Sequence, residues 1–148
     1  MSKPIAIGCD HGAYELKEAL KAHLSEKDLE FVDHGCFGTE SVHYPVYANK
    51  VCESIQRGES ELGILLCSTG IGMSMAANKH SGIRAALCGD TYSARLTRMH
   101  NDANVLCLGA LVCGRGLALD IVDSFLSASF EGGRHAERIG MFKDCEKR

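Results

Sequence analysis

Five short runs of apolar and β-branched residues recur along this chain, and each is followed by a longer segment whose apolar residues fall at helical spacing. Strands separated by helices pair in parallel by crossing back over the sheet, so the alternation restricts the chain to a parallel sheet covered by helices on both faces. Ile5 to Cys9 is the first run, and Tyr14, Leu16, Ala19, Leu20 and Leu24 repeat at helical spacing behind it. Leu29 to Val32 reads as the second strand. A loop through Gly35 and Gly38 then leads to a helix opened by Pro45 and closed by Gly58, along which Val46, Ala48, Val51, Cys52 and Ile55 recur. Leu62 to Leu66 is the third strand, followed by a helix from Gly70 to Lys79. Ile83 to Cys88 is the fourth, followed by Tyr92 to His100, and Val105 to Leu108 the fifth, followed by Leu117 to Phe130.

The 148 residues, 45% of them hydrophobic, suit a single domain, residues 1–148, with one sizeable core. The net charge of −3 supplies no basic field for nucleic acid or an anionic membrane. Apolar runs are repeatedly broken by charge, so a bilayer-spanning helix is not expected. Met1 to Pro4 lack a secretory pattern, and a cytoplasmic protein is expected. The eight cysteines stand singly with no CxxC pair, which argues against a zinc site and for small buried hydrophobes in a reducing compartment. Residues 131–148 are charged and helical in character with few apolar anchors; they are expected to pack on another subunit or across a site mouth.

Ligands of open parallel sheets gather beyond the carboxyl ends of the strands, where loops here begin at Asp10, Asp33, Cys67, Gly89 and Gly109. Cys67 stands out because Ser68, Thr69, Gly70, Ile71, Gly72, Met73 and Ser74 follow at once, a glycine-relieved turn into a helix. Successive N–H groups of such a turn suit a developing oxyanion and can hold a thiolate that acts as base or nucleophile. A cysteine phosphatase would need an arginine where Met73 stands, and a dinucleotide fingerprint would need more than Gly70-Ile71-Gly72; neither chemistry fits, and no cofactor is expected. Asp10 and His11 read as a helix cap with an incidental histidine, or as a hydroxyl acceptor with an anion donor at the ligand crevice. His100, Asn101 and Asp102 complement a helix carboxyl terminus or meet a sugar's hydroxyls. Arg134 and Arg138, four apart, either lie on a solvated face or grip one phosphate.

Taken together, Gly8-Cys9-Asp10-His11-Gly12, Tyr44-Pro45, Cys67 to Gly72, Ala76 to Lys79, Gly82 to Ala85, His100 to Asn104 and Glu131 to His135 resemble the type B ribose-5-phosphate isomerase family, which includes allose- and galactose-6-phosphate isomerases. The resemblance covers nearly the whole chain. It implies a Rossmann-like three-layer α/β/α sandwich, a homodimer or dimer of dimers, no metal or organic cofactor, and interconversion of ribose 5-phosphate and ribulose 5-phosphate. It also implies sites between subunits, with His100 and Asn101 contributed across the interface. By the same resemblance Cys67 is the base that moves a proton between C2 and C1 through a cis-enediolate. Thr69 and the N–H groups from Ser68 to Ser74 would stabilise the oxyanion, and His100, assisted by Asp10, would open the sugar ring. His11, Arg134 and Arg138 would hold the phosphate, while Tyr44 and Asn101 border the sugar. The chain departs from the family at Leu111, where many members carry an arginine, at His43, where Asp is usual, and at Ser68, where glycine is commoner. The first two leave a six-carbon substrate such as allose 6-phosphate as the alternative.

Overall fold

Ile, Leu, Val and Cys dominate the five apolar runs, and a run too short for a buried helix settles as a strand between two packed faces. A computed structural model describes residues 3–146, in which strands β1 (Ile5–Cys9), β2 (Phe31–Asp33), β3 (Gly63–Cys67), β4 (Ala85–Leu87) and β5 (Val105–Gly109) form one sheet in the order β2-β1-β3-β5-β4. All four pairings are parallel. Helices α1 (Tyr14–Glu26), α4 (Thr91–Asn101) and α5 (Arg115–Ser127) cover one face, while α2 (Tyr44–Gln56) and α3 (Ile71–Ala77) cover the other. The expected three-layer α/β/α sandwich is therefore present. Strand side chains alternate between the two cores: Ile5, Ile7, Ile64, Leu66, Leu106 and Leu108 meet Leu20, Leu24, Ile121 and Phe125. Ala6, Leu65, Val105 and Cys107 meet Val51, Cys52, Met73 and Ala77.

Several element boundaries differ from the sequence reading, each for a local reason. The second strand begins at Phe31 rather than Leu29, because the Leu29 N–H donates back to Leu24 O and closes α1. The fourth strand contracts to Ala85–Leu87: Ile83 N–H turns onto His80 O, and Arg84 N–H is taken by the Asn104 side chain. Helix α3 stops at Ala77, since Asn78 bonds both the N–H and C=O of Ala85 through its side-chain amide. Helix α5 starts and ends earlier than Leu117 and Phe130, with Ala128 already extended.

The charged tail forms α6 (Arg134–Gly140), which packs on α4, and α7 (Phe142–Glu146), which buries no residue. Residues 147–148 of the tail, like Met1 and Ser2, lie outside the described residues. No described helix is long and apolar enough to cross a membrane.

One buried charge orders the β1–β2 corner. Lys17, on the inner side of α1, is 0% exposed, and its Nζ donates to both Asp33 carboxylate oxygens at 2.6 and 2.8 Å and to Cys36 O at 2.6 Å. Lys21 adds a contact at 2.9 Å, and Gly35 N–H donates to Asp33 at 2.8 Å. Burial raises the Asp33 carboxyl, but these donors outweigh it and hold it below its ordinary range. Removing one partner of such a pair leaves an uncompensated buried charge, so Asp33→Asn is predicted to lose about 3–5 kcal/mol in urea denaturation at neutral pH. Because the folded-state pKa is depressed, the contribution is present above the unfolded carboxyl pKa and is lost as pH falls through the folded value. The gap between wild type and Asp33→Asn should therefore shrink in acid; a gap that widens there would refute the ion-pair account.

Candidate functional site

At the carboxyl end of the sheet the first and third loops lie side by side, since Cys9 pairs with Leu66 in register. Asp10, 8% exposed, extends its N–H to Leu66 O and accepts the Gly12 N–H on Oδ1 at 3.0 Å, so it caps the short 3-10 turn His11–Ala13 while facing the third loop. A Cβ on Gly12 would lie 2.6 Å from Ser68 Oγ, which places that hydroxyl against the first loop. His11 accepts the Val42 N–H on Nδ1 at 3.1 Å, which puts the proton of its neutral ring on Nε2. Tyr44 opens α2, and its ring lies over Gly72, where a Cβ would come within 2.6 Å of it.

Cys67 ends β3 at the mouth of this crevice, buried, with Sγ accepting the Gly70 N–H at 3.1 Å. Gly70 itself has φ +79°, a backbone state that glycine adopts without strain. Thr69 Oγ1 accepts the Ile71 N–H at 3.2 Å. Ser74 spends its N–H on Gly70 O and its hydroxyl on Ile71 O, so it is not among the open donors. Of the N–H groups from Ser68 to Ser74, those of Ser68, Thr69, Gly72 and Met73 have no protein acceptor among the described residues, and the last two head the helix. Burial pushes three other thiols up, Cys9 and Cys52 to about 12 and Cys88 to about 11.

The remaining expected residues lie elsewhere. Helix α4 begins at Asp90 beyond the carboxyl end of β4 and returns to the amino end, where His100 and Asn101 stand. Between that end and Cys67 lies the length of β5, about 16 Å at the usual strand rise. Arg134 and Arg138 are at the amino end too, exposed on α6 beside α4. One chain thus assembles Asp10, His11, Tyr44 and the Cys67 loop, but not His100, Asn101, Arg134 or Arg138, at a common point. Leu111, 79% exposed, shares with Gly12 and Arg115 a hollow of about 280 Å³ beside the first loop. A wider hollow of about 580 Å³ lies at the amino end among Lys3, Arg84, Arg98 and Asp102. There Asp102, in the left-handed region at φ 46°, is held by Arg84 and Arg98 and fixes the end of α4. Sequence reading missed this clamp, although Arg84 stood within a recognised motif.

A parallel α/β sheet with polar loops converging on a strand-end thiol defines an enzyme of the doubly wound class. Residues 5–142 match the Ribose/Galactose Isomerase family, and the chain belongs to it. It is 48% identical over 146 residues to ribose-5-phosphate isomerase B of Escherichia coli, covering 99% of this chain and 98% of that one. The solved ribose-5-phosphate isomerase B of Clostridium thermocellum superposes with a TM-score of 0.95 at 51% identity, over 97% of both chains. That of Mycoplasma genitalium with bound ribulose 5-phosphate superposes at 0.93 and 41% identity, over 100% of this chain and 99% of the other.

The Cys67 loop rests on backbone rather than on side chains: a Cβ at Gly109 would lie 2.6 Å from both C and O of Thr69. Gly109→Ala is predicted to cost about 1–3 kcal/mol by overpacking. Gly116→Ala, in open space on α5, is predicted to gain about 0.5–1 kcal/mol. Urea denaturation of both variants checks this, and an unshifted Gly109→Ala midpoint would contradict the rigid contact.

Proposed function

We propose that this chain interconverts ribose 5-phosphate and ribulose 5-phosphate at a site completed by a second copy of itself. The observation that carries the reading is Cys67 Sγ receiving the Gly70 N–H beside Asp10, Ser68 and Tyr44. Relatives that share this chain over nearly its whole length are named for that reaction.

In this reading the Cys67 thiolate removes a proton from C2 of the open sugar and returns it to C1 through a cis-enediolate. Burial disfavours a thiolate, so the N–H donor on sulfur has to offset part of that cost. The enediolate oxygens meet Thr69 and the open N–H groups of Gly72 and Met73. His100 of the second copy opens the ring with help from Asp10, and Asn101 and Tyr44 border the hydroxyls. His11 through its Nε2–H, with Arg134 and Arg138 of the second copy, holds the phosphate. No step calls for a metal or cofactor.

The parallel sheet supports the two-copy reading. A two-fold axis across the β4 edge would bring the last turn of one α4, with His100 and Asn101, beside the other copy's carboxyl-end loops. It would also cover Ile71, Met75, Leu87 and Tyr92, large apolar side chains left exposed on α3, β4 and α4. A homodimer, alone or paired into a tetramer, fits these features.

Following ribose 5-phosphate by NMR in D₂O should show ribulose 5-phosphate forming with solvent deuterium at C2 of recovered aldose. Cys67→Ala should bind substrate yet lose about 10²–10⁴-fold in kcat. Wild-type protein inert toward ribose 5-phosphate but active on allose 6-phosphate would select the six-carbon reading, which exposed Leu111 and His43 favour. The shared site has its own test. Cys67→Ala and His100→Ala, each inactive, should recover about a quarter of wild-type activity when co-expressed, because half the dimers then hold one intact site. If each chain used its own His100, the mixture would stay inactive.

A further inference from the structure

Three side chains at the amino end of the sheet are arranged around one another in a way the proposed chemistry leaves unused. Glu131 is tied to the last turn of α4 by its N–H, which donates to Met99 O at 3.0 Å. From there Glu131 Oε1 lies 3.5 Å from Nε2 of His100 and 3.4 Å from Nε2 of His135. The two imidazoles are stacked, with centroids 4.1 Å apart and planes within 8°. His135 is only 7% exposed, and its Nε2 is buried without a hydrogen-bond partner.

Two histidines and a glutamate with ligand atoms within 4.8 Å of one another have the composition of a metal centre. The ring geometry speaks against an ion there. Lone pairs of parallel stacked imidazoles run in parallel planes and do not converge on a point about 2.0–2.1 Å from both nitrogens. A stacked pair over one carboxylate is suited instead to fixing a ring's plane and its tautomer.

We propose that His135 and Glu131 are positioning residues for His100: the buried face of His135 sets the plane of the His100 ring, and Glu131 holds its Nε2 proton, leaving Nδ1 to exchange a proton with the sugar. The inference rests on the isomerase reading above. Both rings cannot be charged together, since one carboxylate faces them and two stacked imidazolium ions repel. Burial first, then the charges of His100, Arg134 and Arg138, depress His135 below the ordinary histidine range against the opposing pull of Glu131.

The test uses a difference between the two sugars. Ribose 5-phosphate is mostly a closed ring, whereas ribulose 5-phosphate, with its C5 hydroxyl esterified, has no ring to open. His135→Ala should lower kcat on ribose 5-phosphate by about 10–100-fold with KM little changed, part of what a positioned acid–base group supplies. Exchange of the ribulose 5-phosphate C1 proton with D₂O should stay near the wild-type rate. His135→Phe, which keeps a flat face, should restore most of the loss. Glu131→Gln, at an exposed side chain, keeps the test alive if His135→Ala does not fold; it too should lower kcat on ribose 5-phosphate while leaving the C1 exchange near the wild-type rate. Equal losses in both assays, or none with ribose 5-phosphate, would overturn the positioning role. Wild-type protein inert in both assays would instead overturn the isomerase reading.

Discussion

A parallel strand delivers the helix that follows it to the opposite end of the sheet, and this constraint divides the chain's polar residues into two groups. Asp10, His11, Ser68 and Cys67 sit where strands end, whereas His100, Asn101 and Arg134 sit where α4 ends and the tail begins. No side-chain rotation spans five residues of strand. The chemistry implied by the full set of residues thus requires either that half of them be idle or that two chains meet in antiparallel orientation. A two-fold pairing satisfies the second condition for both sites at once, because each amino end then faces the other copy's carboxyl end.

Within the carboxyl end, the loop after β3 is shaped by contact between backbones. Gly109 on β5 is in register with Cys67, and the absence of its side chain lets Thr69 lie directly against it. That contact turns the chain so that Gly70 N–H points back at sulfur. The same constraint separates Cys67 from its neighbours in the core. Cys52 and Cys107 are surrounded by apolar side chains that raise the cost of a thiolate, and at Cys9 burial outweighs the opposing pull of the Lys17 ammonium. What distinguishes Cys67 is an N–H donor supplied by the turn immediately after it.

Sequence alone disclosed the layers of the fold because strand and helix periods differ and the chain keeps them apart cleanly. The Cys67 loop was legible for the same reason: its glycines fall where a strand must turn into a helix. Lys17 was not legible. At helical spacing among Lys and Glu it reads as a solvated residue, and only the approach of β2 shows that its ammonium closes on Asp33 and Cys36 O. The limits of β2 and β4 differ because the Leu29 N–H closes α1 onto Leu24 O before β2, while at β4 the Asn104 side chain takes the Arg84 N–H that a strand would otherwise use. Likewise Glu131 and His135 stood inside a recognised motif, but their meeting with His100 depends on the tail folding back onto α4.

That fold-back gives the tail a physical purpose which its composition obscures. Helix α7 buries nothing, and α6 buries little beyond His135, so hydrophobic gain alone does not explain why the segment is ordered. The ring stack, the Glu131 N–H to Met99 O and the shared carboxylate hold its first residues, and everything beyond is carried by them. Arg134 and Arg138 are then fixed relative to His100 rather than to their own chain's Cys67. If a phosphate and a sugar ring are to be engaged together by a second copy, the cations and the imidazole must arrive as one body. Docking α6 on α4 through His135 supplies that rigidity, so under the proposed two-copy reading the geometry of one site would be set by packing within the other chain.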